Sequence, residues 1–128
     1  MYFKKILIFF LLFVFTVQAN ANTPRSTGKY KNWESFSLET DKGKICFAQT
    51  IPTKRAPSSI KRESSRLFIT FRPGEKIKDE ISITSGHEYK TSTVTAASGK
   101  NSFTFFSQDN FAWLLDSREE QSFIKLMK

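Results

Sequence analysis

RLFITFRPGEKIKDEISITS, residues 66–85, reads as two apolar strands joined by a charged connection. Leu67, Ile69 and Phe71 alternate with Phe68 and Thr70, and Ile81 and Ile83 alternate with Ser82 and Thr84. A period of two puts each set on one side of a half-buried strand. Between the strands, proline presets its own φ and glycine accepts a positive one, so Pro73-Gly74 is predicted at the centre of a type II turn.

The same signals continue on both sides. Residues 33–38 form a first expected strand, with Phe36 and Leu38 in phase and Trp33 out of phase, and Asp41-Lys42-Gly43 turns the chain into residues 44–50. Residues 51–65 show no useful period. Pro52, Pro57, Ser58 and Ser59 mark them as a loop of about fifteen residues, a length associated with function or mobility. Further on, residues 92–97 and 102–107 flank the hairpin loop Ser98-Gly99-Lys100-Asn101, with Phe103 and Phe105 expected inward. Asp109-Asn110 turns into a short aromatic strand over 111–114. Ser117 and Glu120 have capping-box spacing, and Phe123, Ile124 and Met127 share one helical face beyond them. Seven short strands with turns between them predict a mainly β fold, an antiparallel β-sandwich or barrel-like domain with one late α-helix.

The N-terminal residues supply an address. Lys4 and Lys5 precede residues 6–17, which are apolar apart from Thr16, and Ala19-Asn20-Ala21 offers a small-x-small cleavage pattern. Twelve residues fall short of the ~20 that a helix needs to span a bilayer. Residues 1–21 are therefore expected to be a signal peptide cleaved near Ala21, leaving no transmembrane segment in the mature chain. Residues 22–32, rich in Thr, Ser, Lys and Asn, read as a flexible lead-in, and residues 33–128 as a single β-rich domain. The expected location is the periplasm, the outer membrane or the medium. Removing 21 of 128 residues leaves 107, enough for one core, with nine of the fourteen Phe and both Trp.

Catalytic patterns are scarce. His87 is the single histidine, between Gly86 and Glu88 in a loop, with no Gly-x-Ser-x-Gly elbow anywhere. One His and one Cys do not make a four-ligand metal site. Asp79 and Glu80 are neighbours on a strand, so their carboxylates point to opposite faces and cannot flank one bond. Asp79, Glu75, Lys76 and Lys78 read instead as a solvated cluster or as partners of Arg72. No glycine loop for phosphate or dinucleotide is present. The chain is expected to be no enzyme and to carry no cofactor.

Charge is the stronger lead. Lys4 and Lys5 depart with the leader, so 18 basic residues face 12 acidic ones in the mature chain, a net of +6. Residues 54–78 hold Lys54, Arg55, Lys61, Arg62, Arg66, Arg72, Lys76 and Lys78 against Glu63 and Glu75, also a net of +6. These eight are the candidate anion-binding residues, for lipid headgroups, acidic glycans or an acidic protein surface. The plainer reading is a solubilising basic surface. An exported protein is not expected to meet nucleic acid.

Cys46 is the single cysteine, flanked by Ile45 and Phe47. It reads either as a small buried hydrophobe or as a disulfide-forming residue whose partner is absent from this chain.

The sequence resembles the invasion-associated locus B family of exported bacterial proteins. The resemblance spans Trp33 to Lys128 and rests on Cys46-Phe47, Pro52-Thr53-Lys54, residues 71–83 (FRPGEKIKDEISI), Gly86 with Tyr89-Lys90, and Phe106 with Ala112-Trp113. It implies a periplasmic or outer-membrane-associated protein, with a link to host-cell invasion for some members, and no established catalytic residues. It also implies further strands and a helix ending in a closing Cys, so the chain is expected to be incomplete at its C-terminus. Two functions are expected in order. The first is a noncatalytic exported protein that binds an anionic envelope or host-surface component through the basic loop. The second is a periplasmic assembly or chaperone-like protein that binds envelope proteins by exposed strand edges. A hydrolase dependent on His87 comes last.

Overall fold

The strands β1 (Arg25–Tyr30), β2 (Trp33–Thr40), β3 (Gly43–Thr50), β4 (Arg66–Arg72) and β5 (Ile77–Thr84) follow one another as a meander. A second meander of β6 (Val94–Ser98), β7 (Asn101–Gln108) and β8 (Phe111–Trp113) joins it through β8, where Ser82 faces Trp113 and Ile83 faces Ala112. This computed structural model describes residues 22–128, so the leader expected over residues 1–21 lies outside the described residues. Every pairing is antiparallel and the spatial order is β1-β2-β3-β4-β5-β8-β7-β6. The expectation of a mainly β, antiparallel fold with one late helix, α1 (Ser117–Leu126), is met. Among the described residues, no helix is long and apolar enough to cross a membrane.

The two faces of the sheet are covered differently. Ile81, Val94, Phe103, Phe105, Ala112 and Leu114 are buried on the side that receives α1. Phe123 of the helix sets its ring edge-on to Phe103 and Phe105, with centroids 5.2 and 6.0 Å away. Such pairs add about 0.5–1.5 kcal/mol to the area they bury. Leu67 and Ile69 join this core, while Phe71 at the end of their strand stays exposed. On the opposite face Phe36, Phe47, Phe68, Phe111 and Trp113 run ring to ring, with successive centroids 5.1 to 6.1 Å apart.

Strand β1 occupies most of the stretch expected to be a lead-in, so the described residues form eight strands where the periodicity predicts seven. Its residues carry no apolar alternation. Pairing comes from the backbone ladder with β2 and from polar cross-strand contacts, Ser26 Oγ to Glu34 Oε1 at 2.8 Å and Thr27 Oγ1 with Ser35 Oγ at 2.8 Å.

Residues 73–75 form a 3₁₀ turn, in place of the predicted type II turn. The Lys76 amide donates to the Pro73 carbonyl at 3.0 Å, and Lys76, not Gly74, takes the left-handed conformation with φ 57°. Gly74 is needed for a different reason: a Cβ there would lie 1.7 Å from the Lys42 carbonyl oxygen, because this turn packs against the β2–β3 turn.

The helix cap also differs from the capping-box expectation. Asp116, not Ser117, is the N-cap, and its Oδ1 accepts from the Arg118 amide at 2.7 Å and the Glu119 amide at 3.4 Å. The hydrogen bond from the Arg118 side chain, with those amides, holds the Asp116 carboxyl below its ordinary range. Glu120 is buried beneath the helix instead of reaching back to the cap. Burial raises its pKa, Glu80, Asp79 and Asp116 push the same way, and a hydrogen bond with the Ile81 backbone opposes them.

Candidate functional site

The loop of residues 51–65 leaves β3 and enters β4 at one end of the sheet. Tyr30 faces Trp33, Trp33 faces Thr50, Thr50 faces Leu67 and Leu67 faces Ile83, so a single row of residues defines that end across five strands. Beyond the row lie the β1–β2 turn, the basic loop and the connection after β5. The Thr50 hydroxyl donates to the Asn32 carbonyl at 2.8 Å, which ties the first two together. The Glu63 amide donates to the Gly86 carbonyl at 3.3 Å, which ties the loop to the third.

Inside the loop, Arg62 Nη2 donates to the Ala56 carbonyl at 2.7 Å and the Pro57 carbonyl at 3.4 Å. Arg55 Nη1 donates to the Glu63 carbonyl at 3.5 Å. These bonds draw the loop back on itself without neutralising either guanidinium, since carbonyls carry no net charge. A depression of about 580 Å³ results, lined by Arg55, Pro57, Ser58, Ile60, Lys61 and Arg62. Among the described residues, Lys54, Arg55, Lys61, Arg62 and Arg66 form no ion pair with a carboxylate.

The eight candidate cations are not one patch. Lys54, Arg55, Lys61, Arg62 and Arg66 gather at the loop end. Arg72 lies six residues along β4 from Arg66, roughly 20 Å at the rise of an extended strand. Lys76 and Lys78 lie with Arg72 at the far end, around the 3₁₀ turn. Arg72 is itself occupied: it bonds Glu80 closely and stands 3.8 Å from Glu75, which Lys42 also approaches at 3.5 Å. The partner of Arg72 across the strands is thus Glu80. Asp79 points to the other face, where Gln121 Nε2 donates to its carboxylate at 3.2 Å. A bulge allows this, with one extra residue in β5 and Asp79 at φ 58°.

The remaining chemistry-bearing residues stand apart. His87 is exposed, 3.3 Å from the Ser85 carbonyl through Nδ1 and edge-on to the Tyr89 ring. Cys46, between Ser37 and Phe71 in the sheet, belongs to the opposite half of β3 and β4. It is a free, exposed thiol and not the buried residue its neighbours imply, because its part of the sheet extends past the cover given by α1. Among the described residues, no group of three His, Cys, Asp or Glu side chains could hold a metal ion.

Two apolar residues escaped the charge-based reading. Ile51 and Ile60 belong to the basic loop and are 53% and 56% exposed. Their signal was legible as isoleucines placed among Pro, Ser, Lys and Arg in a segment without period.

The fold and this site define a β-sheet domain presenting a cationic loop at one end. Comparison with protein-family models, with curated proteins and with solved structures returned no match.

Proposed function

We propose that the chain is an exported, noncatalytic envelope protein of the invasion-associated locus B type that holds an anionic envelope or host-surface component through its basic loop. The observation that carries this reading is the group Lys54, Arg55, Lys61, Arg62 and Arg66, gathered at one sheet end with no carboxylate paired to any of them among the described residues. Unpaired cations on a shared surface raise the local potential and attract polyanions over about a Debye length, ~10 Å at 0.1 M salt. The reading takes these five as the binding group, because Arg72 is engaged with Glu80 and Glu75 and Lys76 and Lys78 stand with it at the far end of the sheet. Replacing Lys54, Arg55, Lys61 and Arg62 together by Glu is expected to abolish retention on heparin and on anionic vesicles. Retention of the wild type should fall steeply with salt. Retention unchanged by the four substitutions rejects the reading.

A second reading, periplasmic assembly or chaperone-like binding of envelope proteins, draws on β6. That strand ends the sheet, and beside it Ala96, Phe123, Leu126 and Met127 line a small apolar slot. An extended segment added to β6 would gain backbone bonds and cover the slot. It predicts capture of envelope proteins that survives high salt and is lost when a proline replaces Thr95 or Ala97.

A further inference from the structure

The loop end of the sheet is apolar as well as cationic. Ile60 is 56% exposed and shares the depression with Arg55, Lys61 and Arg62. Ile51 is 53% exposed at the base of the loop, immediately beyond Thr50, and lines a shallow hollow with Asn32 of the β1–β2 turn. Lys31 belongs to that turn, while the ring of Tyr30 before it, 69% exposed, lies back over Gly28. A single exposed isoleucine on a soluble protein means little. Here two isoleucines stand at one end of the sheet together with five cations that form no ion pair with a carboxylate among the described residues.

A soluble acidic glycan would engage the cations and leave the isoleucines in water. A bilayer rich in anionic lipid engages both. Its headgroup phosphates take Lys and Arg, and the boundary beneath them takes short apolar side chains. Each cation close to such a surface raises partitioning roughly fivefold, and each isoleucine moved out of water adds roughly tenfold. Glu34, which lines the hollow beside Ile51, and Glu63 and Glu88 share this end and reduce the net charge without reversing it.

We infer that this end of the sheet seats on an anionic lipid bilayer, with Ile51 and Ile60 entering the headgroup layer and Lys54, Arg55, Lys61 and Arg66 on the phosphates. The inference rests on the anion-binding reading of the loop and names its partner. Arg62, bonded to the Ala56 and Pro57 carbonyls, shapes the loop that presents the others.

The test uses residues 22–128, the part of this chain expected to remain after export, which hold the eight strands, the helix and the core found among the described residues. Flotation is measured with vesicles of phosphatidylglycerol and phosphatidylcholine mixed about 1:3, with phosphatidylcholine alone, and in parallel with heparin retention. Far-UV circular dichroism and melting show that each variant is folded. The wild type is expected to float with the anionic vesicles only. Replacing Ile51 and Ile60 together by Ser is expected to lower that partitioning at least tenfold while heparin retention is unchanged. Equal flotation of this variant and the wild type overturns the inference, leaving a soluble polyanion as the partner of the cations. Loss of flotation with the Ser variant, together with flotation unaltered by the four Glu substitutions, overturns the anion-binding reading instead.

Discussion

Glu63 and Gly86 meet backbone to backbone. The Glu63 amide donates to the Gly86 carbonyl at 3.3 Å, and a Cβ on Gly86 would lie 2.1 Å from the Glu63 carbonyl oxygen. Gly86 also has φ +74°, a conformation that side chains resist. This contact pins the C-terminal end of the basic loop to the rest of the sheet. Gly86→Ala is therefore expected to cost on the order of 1–3 kcal/mol and to release the loop. Limited trypsin digestion should then cut at Lys54 or Lys61 much faster than in the wild type. Equal cleavage rates would show that the loop is held elsewhere.

Glu120 and Asp116 respond to pH in opposite senses. Burial first, then Glu80, Asp79 and Asp116, raise the Glu120 carboxyl above its ordinary value, so the folded state holds a proton that the unfolded chain releases. Its effect on stability is thus unfavourable as pH rises from the ordinary carboxylate range through the raised value. The lowered Asp116 carboxyl adds stability above its unfolded value, and that gain is lost as pH falls through the folded one. Glu120→Gln is expected to melt higher than the wild type at pH 8 and close to it at pH 4. A lower melting temperature at pH 8 would mean that the bond with the Ile81 backbone outweighs burial.

Arg72 and the loop cations separate stability from binding. Removing Arg72 leaves Glu80, a half-buried carboxylate, without its closest cation, so Arg72→Ala should lower the melting temperature by several degrees. Heparin retention should barely change. Lys61→Ala should do the reverse, because Lys61 is exposed and forms no ion pair among the described residues. Retention lost in the Arg72 variant while it remains folded would restore the far end of β4 to the binding surface.

Cys46 is open to solvent on β3, beside the exposed ring of Phe71. The native protein is expected to react with a maleimide within minutes at neutral pH, without denaturant. Protection until the protein unfolds would place a cover over this part of the sheet.

The strands were legible where one face is buried and the other is not. Phe103 and Phe105, buried, against Ser102 and Thr104, exposed, write their geometry into a period of two, whereas Ile81 and Ser82 alternate in type although both are buried. Strand β1 was not legible, because RSTGKY has no apolar face and owes its place to bonds with β2. Gly74 was recognised as a turn residue for the wrong cause, since the oxygen it must clear belongs to Lys42, thirty-two positions earlier.

The order of residues alone determined that positive charge concentrates in residues 54–78 and that alternating apolar residues make a sheet, because both are properties of neighbours along the chain. Only the tertiary structure decided which cations stand together. An extended strand separates Arg66 from Arg72 by its own length, while antiparallel pairing brings Tyr30, Thr50 and Leu67 into one row. Burial likewise waited on the packed fold. Cys46 and Phe71 lie past the cover of α1, whereas Glu120 lies under it, and no local pattern states where a helix will stop covering a sheet.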